Sequence, residues 1–121
     1  MIKNLILSGG GIKGLSFIGL LKALEELDLF KDIKLISCSS VGSLIGCLMV
    51  TKFCAEEIKE LVLSYDLQKL FCINYDDIFN VVEKFGLLKT DKFQELIENN
   101  LFKKTKMKKI TFKDLYKFNN I

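Results

Sequence analysis

The sequence predicts an α/β fold built on a parallel sheet, and three observations carry that prediction. A short apolar run at residues 2–8 ends in three consecutive glycines, a helical repeat of apolar residues follows Gly14, and a second apolar run at 34–38 leads through a serine-rich turn into another apolar stretch. Short apolar runs closed by turn residues and alternating with helical patterns are how buried parallel strands read. A length of 121 residues allows one domain, and 50% hydrophobic with 27% charged residues is the composition of a chain that folds around a core.

Taken in order, Ile2-Lys-Asn-Leu-Ile-Leu-Ser8 is strand one. Beyond the glycines, Leu15, Ile18, Leu21, Leu24 and Leu27 recur at helical spacing while Lys22, Glu25, Glu26 and Asp28 take the other face, so a helix ends near Asp28. Lys34-Leu-Ile-Ser-Cys38 is strand two. Val41 to Val50 is an apolar helix whose Gly42 and Gly46 mark places where something packs closely. From Ala55 a solvated amphipathic helix alternates Glu56, Glu57, Lys59 and Glu60 with Ile58, Leu61, Val62 and Leu63. A less regular piece from Tyr75 to Phe85 turns near Gly86. Thr90 or Asp91 then caps a helix with Phe93, Leu96, Ile97 and Leu101 on one side, and Thr111-Phe-Lys-Asp114 is a relative of the capping box that opens a last short helix.

Composition excludes several chemistries. With no His there is no zinc site of the usual kind and no Ser-His-Asp or Cys-His arrangement, so any catalysis runs on other bases. All 18 basic residues are Lys against 15 acidic ones, and without Arg to read phosphates or bases bidentately no nucleic-acid partner is expected. Four cysteines, at 38, 47, 54 and 72, have no CxxC spacing and no secretory leader ahead of them, which reads as reduced thiols in an intracellular, cytoplasmic protein. Cys47, Cys54 and Cys72 are expected as buried packing. Residues 35–51 carry no charge but hold Ser37, Ser39, Ser40 and Ser43, so a buried strand and helix explain them better than a membrane span. Peripheral contact with lipid stays open. The lysines at 103, 104, 106, 108 and 109 read first as a solvated turn, with anionic lipid headgroups as the alternative partner.

Two turns carry the chemistry. Gly9-Gly10-Gly11-Ile12-Lys13-Gly14 fits GxGxxG between a strand and a helix, a turn that aims backbone N–H groups and a helix dipole at negative charge. A dinucleotide site would need an acid at the end of strand two, where Ile36-Ser37-Cys38 stands; a P-loop would need Lys-Ser or Lys-Thr where Leu15-Ser16 stands. The second turn, Cys38-Ser39-Ser40-Val41-Gly42, is GxSxG with Cys in place of the first Gly, the form of a sharp turn that lifts a serine Oγ above a sheet. If both turns open on one edge of the sheet, an oxyanion hole faces a nucleophile.

Here the chain resembles the patatin-like phospholipase family, serine acyl hydrolases that use a Ser-Asp dyad without His. The resemblance runs from Leu7-Ser-Gly-Gly-Gly-Ile-Lys-Gly14 through Phe17-Ile-Gly-Leu-Leu-Lys-Ala-Leu24 to Ser40-Val-Gly-Ser-Leu44, with weaker echoes at Gly86-Leu-Leu88 and Thr111-Phe-Lys-Asp-Leu-Tyr116. It implies a three-layer patatin-like fold, incomplete at its C-terminal end, over a single partial domain of residues 1–121. It also implies Ser40 as nucleophile, Gly9, Gly10, Gly11, Lys13 and Gly14 as the oxyanion loop, and Cys38, Ser39, Val41 and Gly42 as the elbow. A lipid or acyl-ester substrate and no cofactor or metal belong to the same implication. The family's Asp-Gly motif has no counterpart, since none of the seven aspartates (28, 32, 66, 76, 77, 91 and 114) precedes a glycine. The expectation is therefore a truncated hydrolase of impaired activity, prone to self-association or in need of a partner segment to complete the sheet. Rival readings are a degenerate module that binds acyl lipid, a GxGxxG nucleotide-binding βαβ unit, and an interaction domain built on the helices of residues 55–118.

Overall fold

The computed structural model describes residues 2–65 and 90–119. Cys72, the 75–85 piece, the turn near Gly86 and Asp66, Asp76 and Asp77 lie outside those residues. Strand β1 (Asn4–Leu7) leads through a 3-10 turn (Gly11–Leu15) into α1 (Ser16–Glu26); a second 3-10 turn (Phe30–Asp32) precedes β2 (Leu35–Cys38), followed by α2 (Val41–Val50) and α3 (Ala55–Ser64). Beyond residue 90 come α4 (Asp91–Thr105) and α5 (Phe112–Asn119). The strands pair in parallel, Asn4 opposite Leu35 and Leu7 opposite Cys38. The chain belongs to the α/β class that the sequence predicts.

That register decides the faces. Leu5, Leu7, Ile36 and Cys38 alternate onto one side of the sheet, and Leu7 is fully buried there against a core of Leu21, Leu24, Ile33, Ile45, Leu48, Met49 and Ile58. The helices α1, α2 and α3 supply that core, apart from Ile33 on the link into β2. On the other side Ile6 and Leu35 remain 77% and 56% exposed, so among the described residues helices cover one face only. The uncharged run 35–51 resolves into β2, a tight turn and α2. No helix among the described residues is long and apolar enough to cross a membrane.

Helix ends are closed by specific side chains. The amide of Cys54, the N-cap of α3, donates to Glu57 Oε2 at 2.9 Å, and the amide of Ala55 donates to Glu25 Oε1 of α1 at 3.0 Å. Cys54 is exposed at this cap, which corrects its expected role as buried packing. Buried Thr51 donates to the carbonyls of Cys47 and Leu48 at 2.9 and 3.0 Å, so its hydroxyl is satisfied inside the last turn of α2. In α5 the box forms in full: Asp114 Oδ2 accepts from the amide and the hydroxyl of Thr111 at 3.0 and 2.6 Å, and the Asp114 amide donates back to Thr111 Oγ1 at 3.3 Å. The Thr111 hydroxyl, then its amide, hold the Asp114 carboxyl below the ordinary carboxylate range.

The C-terminal helices lie against α2 and α3. Lys104 Nζ donates to Glu57 Oε2 at 2.8 Å and stands 5.0 Å from the Phe53 ring centroid, while Asn119 Nδ2 reaches the Val50 carbonyl at 2.9 Å and Lys52 stands 5.0 Å from the Phe118 ring. Phe93, Leu96 and Ile97 of α4 face Leu44, Leu48, Leu61 and Val62 across an apolar groove. Lys104 is therefore a partnered side chain within a cluster that reads from sequence as a solvated turn.

Candidate active site

Both glycine and serine turns follow a β-strand, and because β1 and β2 are parallel neighbours, both leave the same carboxyl edge of the sheet. Their separation is set by contact. A Cβ on Gly9 would stand 3.2 Å from Ser40 Cβ and 3.8 Å from Ser39 Oγ, so the first glycine of one turn lies directly against the serine of the other.

Gly11 holds φ at +54°, in the left-handed region where a side chain is strained, and nothing lies within 4 Å of the place its Cβ would take. The amide of Lys13 donates to the Gly10 carbonyl at 3.2 Å and closes the turn. Among the described residues no carbonyl or side chain takes the N–H of Gly9 or Gly10. Gly10, Gly11, Ile12 and Lys13 are all exposed, whereas Gly14 is buried with Val41 where a Cβ would have to go. The last glycine of GxGxxG thus serves packing between the turns, with Val41 of the serine turn as its partner.

Ser40 sits at the N-cap of α2 with φ 51° and ψ −125°. Other non-glycine residues with positive φ include Asp28, Lys52 and Lys106, which follow helix ends; at Lys106 ψ is 15°, an ordinary left-handed cap. Ser40 differs: a ψ of −125° with positive φ is glycine territory, and holding a serine there costs on the order of 1 to 3 kcal/mol. The surroundings impose it. Ser39 donates its amide to the Leu7 carbonyl at 3.0 Å, Gly42 and Ser43 donate theirs to the carbonyls of Ser39 and Ser40 at 3.0 and 2.8 Å, and Gly42 presses so closely on the Leu7 backbone that no Cβ would fit. The result is an exposed serine side chain at the positive end of a helix dipole.

Cys38 is accommodated by its neighbour. Its Sγ lies 2.5 Å from where a Cβ on Gly46 would stand, so the side chain at the first position of the serine turn occupies the room left by a glycine on α2. Partial burial pushes the Cys38 thiol above its ordinary value, as burial and then the nearby Cys38 do for Cys47. A thiol raised in this way stays protonated at neutral pH, which disfavours Cys38 as a nucleophile. The close approaches at Gly42 and Gly46 are anticipated in the sequence; Val41 as the residue packed on Gly14 is not, although a third glycine in a GxGxxG turn is itself a signal of close packing.

An uncharacterized protein, R571 of Acanthamoeba polyphaga mimivirus, is 37% identical over 119 residues, covering 96% of this chain and 39% of its own length. Patatin-like phospholipase domain-containing protein 6 of Homo sapiens and that of Mus musculus are each 45% identical over 56 residues, covering 46% of this chain and 4% of theirs. The chain thus spans about two fifths of the mimiviral relative and a small part of the mammalian ones. Among solved structures, the type III effector protein ExoU superposes with a TM-score of 0.61 at 24% identity over 84% of this chain and 23% of its own, a likeness of fold. Residues 5–119 match the family model described as patatin-like phospholipase, and with nearly the whole chain inside that match, the protein belongs to the patatin-like phospholipase family.

Proposed function

We propose that this chain carries the nucleophile and oxyanion half of a lipid acyl hydrolase. The observation that supports it most is the strained backbone of Ser40, φ 51° and ψ −125°, held directly against Gly9 of the glycine turn. Strain of this kind persists where surrounding structure over-determines it, and at a strand-to-helix turn it aims a hydroxyl away from the sheet. In the proposed reaction Ser40 Oγ attacks the ester carbonyl of a lipid and its proton passes to a carboxylate base. The amides near Gly10 and Gly11 take the charge that develops on the carbonyl oxygen, aided by the dipole of α2. Lys13 adds a positive charge beside the same turn. Collapse of the tetrahedral intermediate expels the alcohol, which takes up a proton, and water then releases the acid from Ser40.

The base is the incomplete part of this reading. No aspartate in the 121 residues precedes a glycine, and losing a positioned general base typically removes about 10² to 10⁴-fold in rate. Expressed as residues 1–121, the chain is therefore expected to hydrolyse a p-nitrophenyl acyl ester slowly, and Ser40→Ala is expected to abolish that residual rate. A rate unchanged by Ser40→Ala would remove the serine from the mechanism. Cys38 at the first position of the serine turn favours a second reading, a module that holds acyl lipid without turning it over; a lysophospholipid that raises the melting temperature of a chain with no Ser40-dependent turnover would favour it.

A further inference from the structure

Seven of the 18 lysines fall between residues 103 and 117, against one acidic residue, Asp114, in a chain whose net charge is only +3. Asp114 is turned back on Thr111 at the start of α5. Lys104 is turned inward to Glu57 and Phe53. The remaining six, Lys103, Lys106, Lys108, Lys109, Lys113 and Lys117, are exposed. Exposed aromatic rings are interleaved with them: Phe112 is 91% exposed, Tyr116 62% and Phe102 40%. Phe112 and Tyr116 are one helical turn apart and share a face of α5, with Lys113 and Lys117 forming the adjacent stripe. α5 is fastened to the body through buried Leu115, the ring of Phe118 under Lys52, and the hydrogen bond from Asn119 to Val50.

We propose that the surface from Phe102 to Lys117 is an interfacial patch that seats this protein on an anionic lipid bilayer. Single exposed apolar residues need no explanation, but bare aromatic rings beside six exposed cations, two of them on the fastened α5, form the two-part device of peripheral proteins: rings enter the acyl boundary while ammonium groups meet the headgroups. Charge complementarity selects the partner. Lysine is a hydrated point charge suited to a diffuse anionic layer, whereas a nucleic-acid groove would favour Arg, of which the chain has none. The proposal goes beyond the acyl-hydrolase reading and stands without it, because Ser40→Ala leaves this surface untouched.

The chain has no tryptophan, so Phe112→Trp gives a single fluorescent probe in the patch. With vesicles of phosphatidylcholine carrying about one third phosphatidylserine, its emission should shift to the blue, and the protein should co-sediment with them. With phosphatidylcholine alone, or with single-stranded RNA, no shift is expected. Each lysine near an anionic surface is worth about fivefold in partitioning, so the triple variant Lys108→Glu, Lys113→Glu, Lys117→Glu should weaken co-sedimentation by at least about 100-fold, with an unchanged melting curve as the check on folding. Phe112→Ser should weaken it with all charges kept. Vesicle binding indifferent to these changes, or equal on neutral lipid, would overturn the proposal, as would RNA that displaces the protein from vesicles by binding the same lysines more tightly.

Discussion

The two described segments are held by different kinds of contact. In residues 2–65 the decisive approaches involve missing side chains: Val41 against Gly14, the Leu7 backbone against Gly42, and the Cys38 thiol against Gly46. In residues 90–119 the long-range polar contacts are made by side-chain tips: Lys104 on Glu57 and Phe53, and Asn119 on the Val50 carbonyl. A backbone packed directly on a neighbour, most of all on another backbone as at Gly42, has little room to relax, whereas a contact between tips can be lost at the cost of one interaction. The first segment should therefore fail at single added methyls, and the second should erode gradually.

The largest effect is expected from Gly42→Ala. Its Cβ would fall onto the Leu7 carbonyl, which β1 cannot withdraw without breaking its pairing with β2. A cost of about 3 kcal/mol or more is a large share of a typical domain's stability, so soluble yield and melting temperature should both collapse. Gly46→Ala should cost less, about 1 to 3 kcal/mol, because the obstacle is the thiol of Cys38. Adding Cys38→Ala should restore most of the loss in a double-mutant cycle followed by thermal melts; additive losses would show that the two positions are not coupled through that contact.

In the second segment Asn119→Ala removes the bond to Val50 and should lower stability by only about 1 kcal/mol, seen as faster amide exchange in α5 with the core of residues 2–65 unchanged. The smallest effect belongs to Glu57. The Lys104 hydrogen bond first, and the Cys54 amide next, hold its carboxyl below its ordinary value near 4.5. A depressed pKa contributes stability that is present above the ordinary value and lost as pH falls through the folded one. The Lys104 and Glu57 side chains are 30% and 41% exposed, so solvent screening leaves the pair only about 0.5 kcal/mol. Glu57→Gln should thus lower the melting temperature slightly at neutral pH, with the difference vanishing in strong acid; a gap that widens on acidification would contradict the assignment.

The same contrast explains what the sequence discloses. Apolar spacing and small turn residues place both strands to within two residues, give α2 its bounds of Val41 and Val50, and mark the serine turn, because each of these is written in neighbouring positions. The capping box at Thr111 and Asp114 is legible for the same reason. Cys54 as the cap of α3 is not, since cysteine gives no capping signal and its amide is satisfied by Glu57. The inward turn of Lys104 is hidden too: its partner lies 47 positions away, and lysines in a row look alike until a fold brings a carboxylate to one of them. Thr90 illustrates the converse, for it stands at the predicted cap of α4 yet makes no capping bond with its side chain.

The fit between Cys38 and Gly46 also constrains how such a sequence can change over generations. With a glycine at 38, position 46 is released from that contact; with cysteine at 38, a side chain at 46 must displace the thiol. A lineage that acquires the thiol first while 46 bears a methyl passes through a destabilised intermediate, whereas one that loses the methyl first does not. The tolerated order of substitution therefore runs from α2 to the elbow. In this chain the room for a cysteine at the first position of the serine turn is left eight residues downstream, outside the five residues of the turn itself.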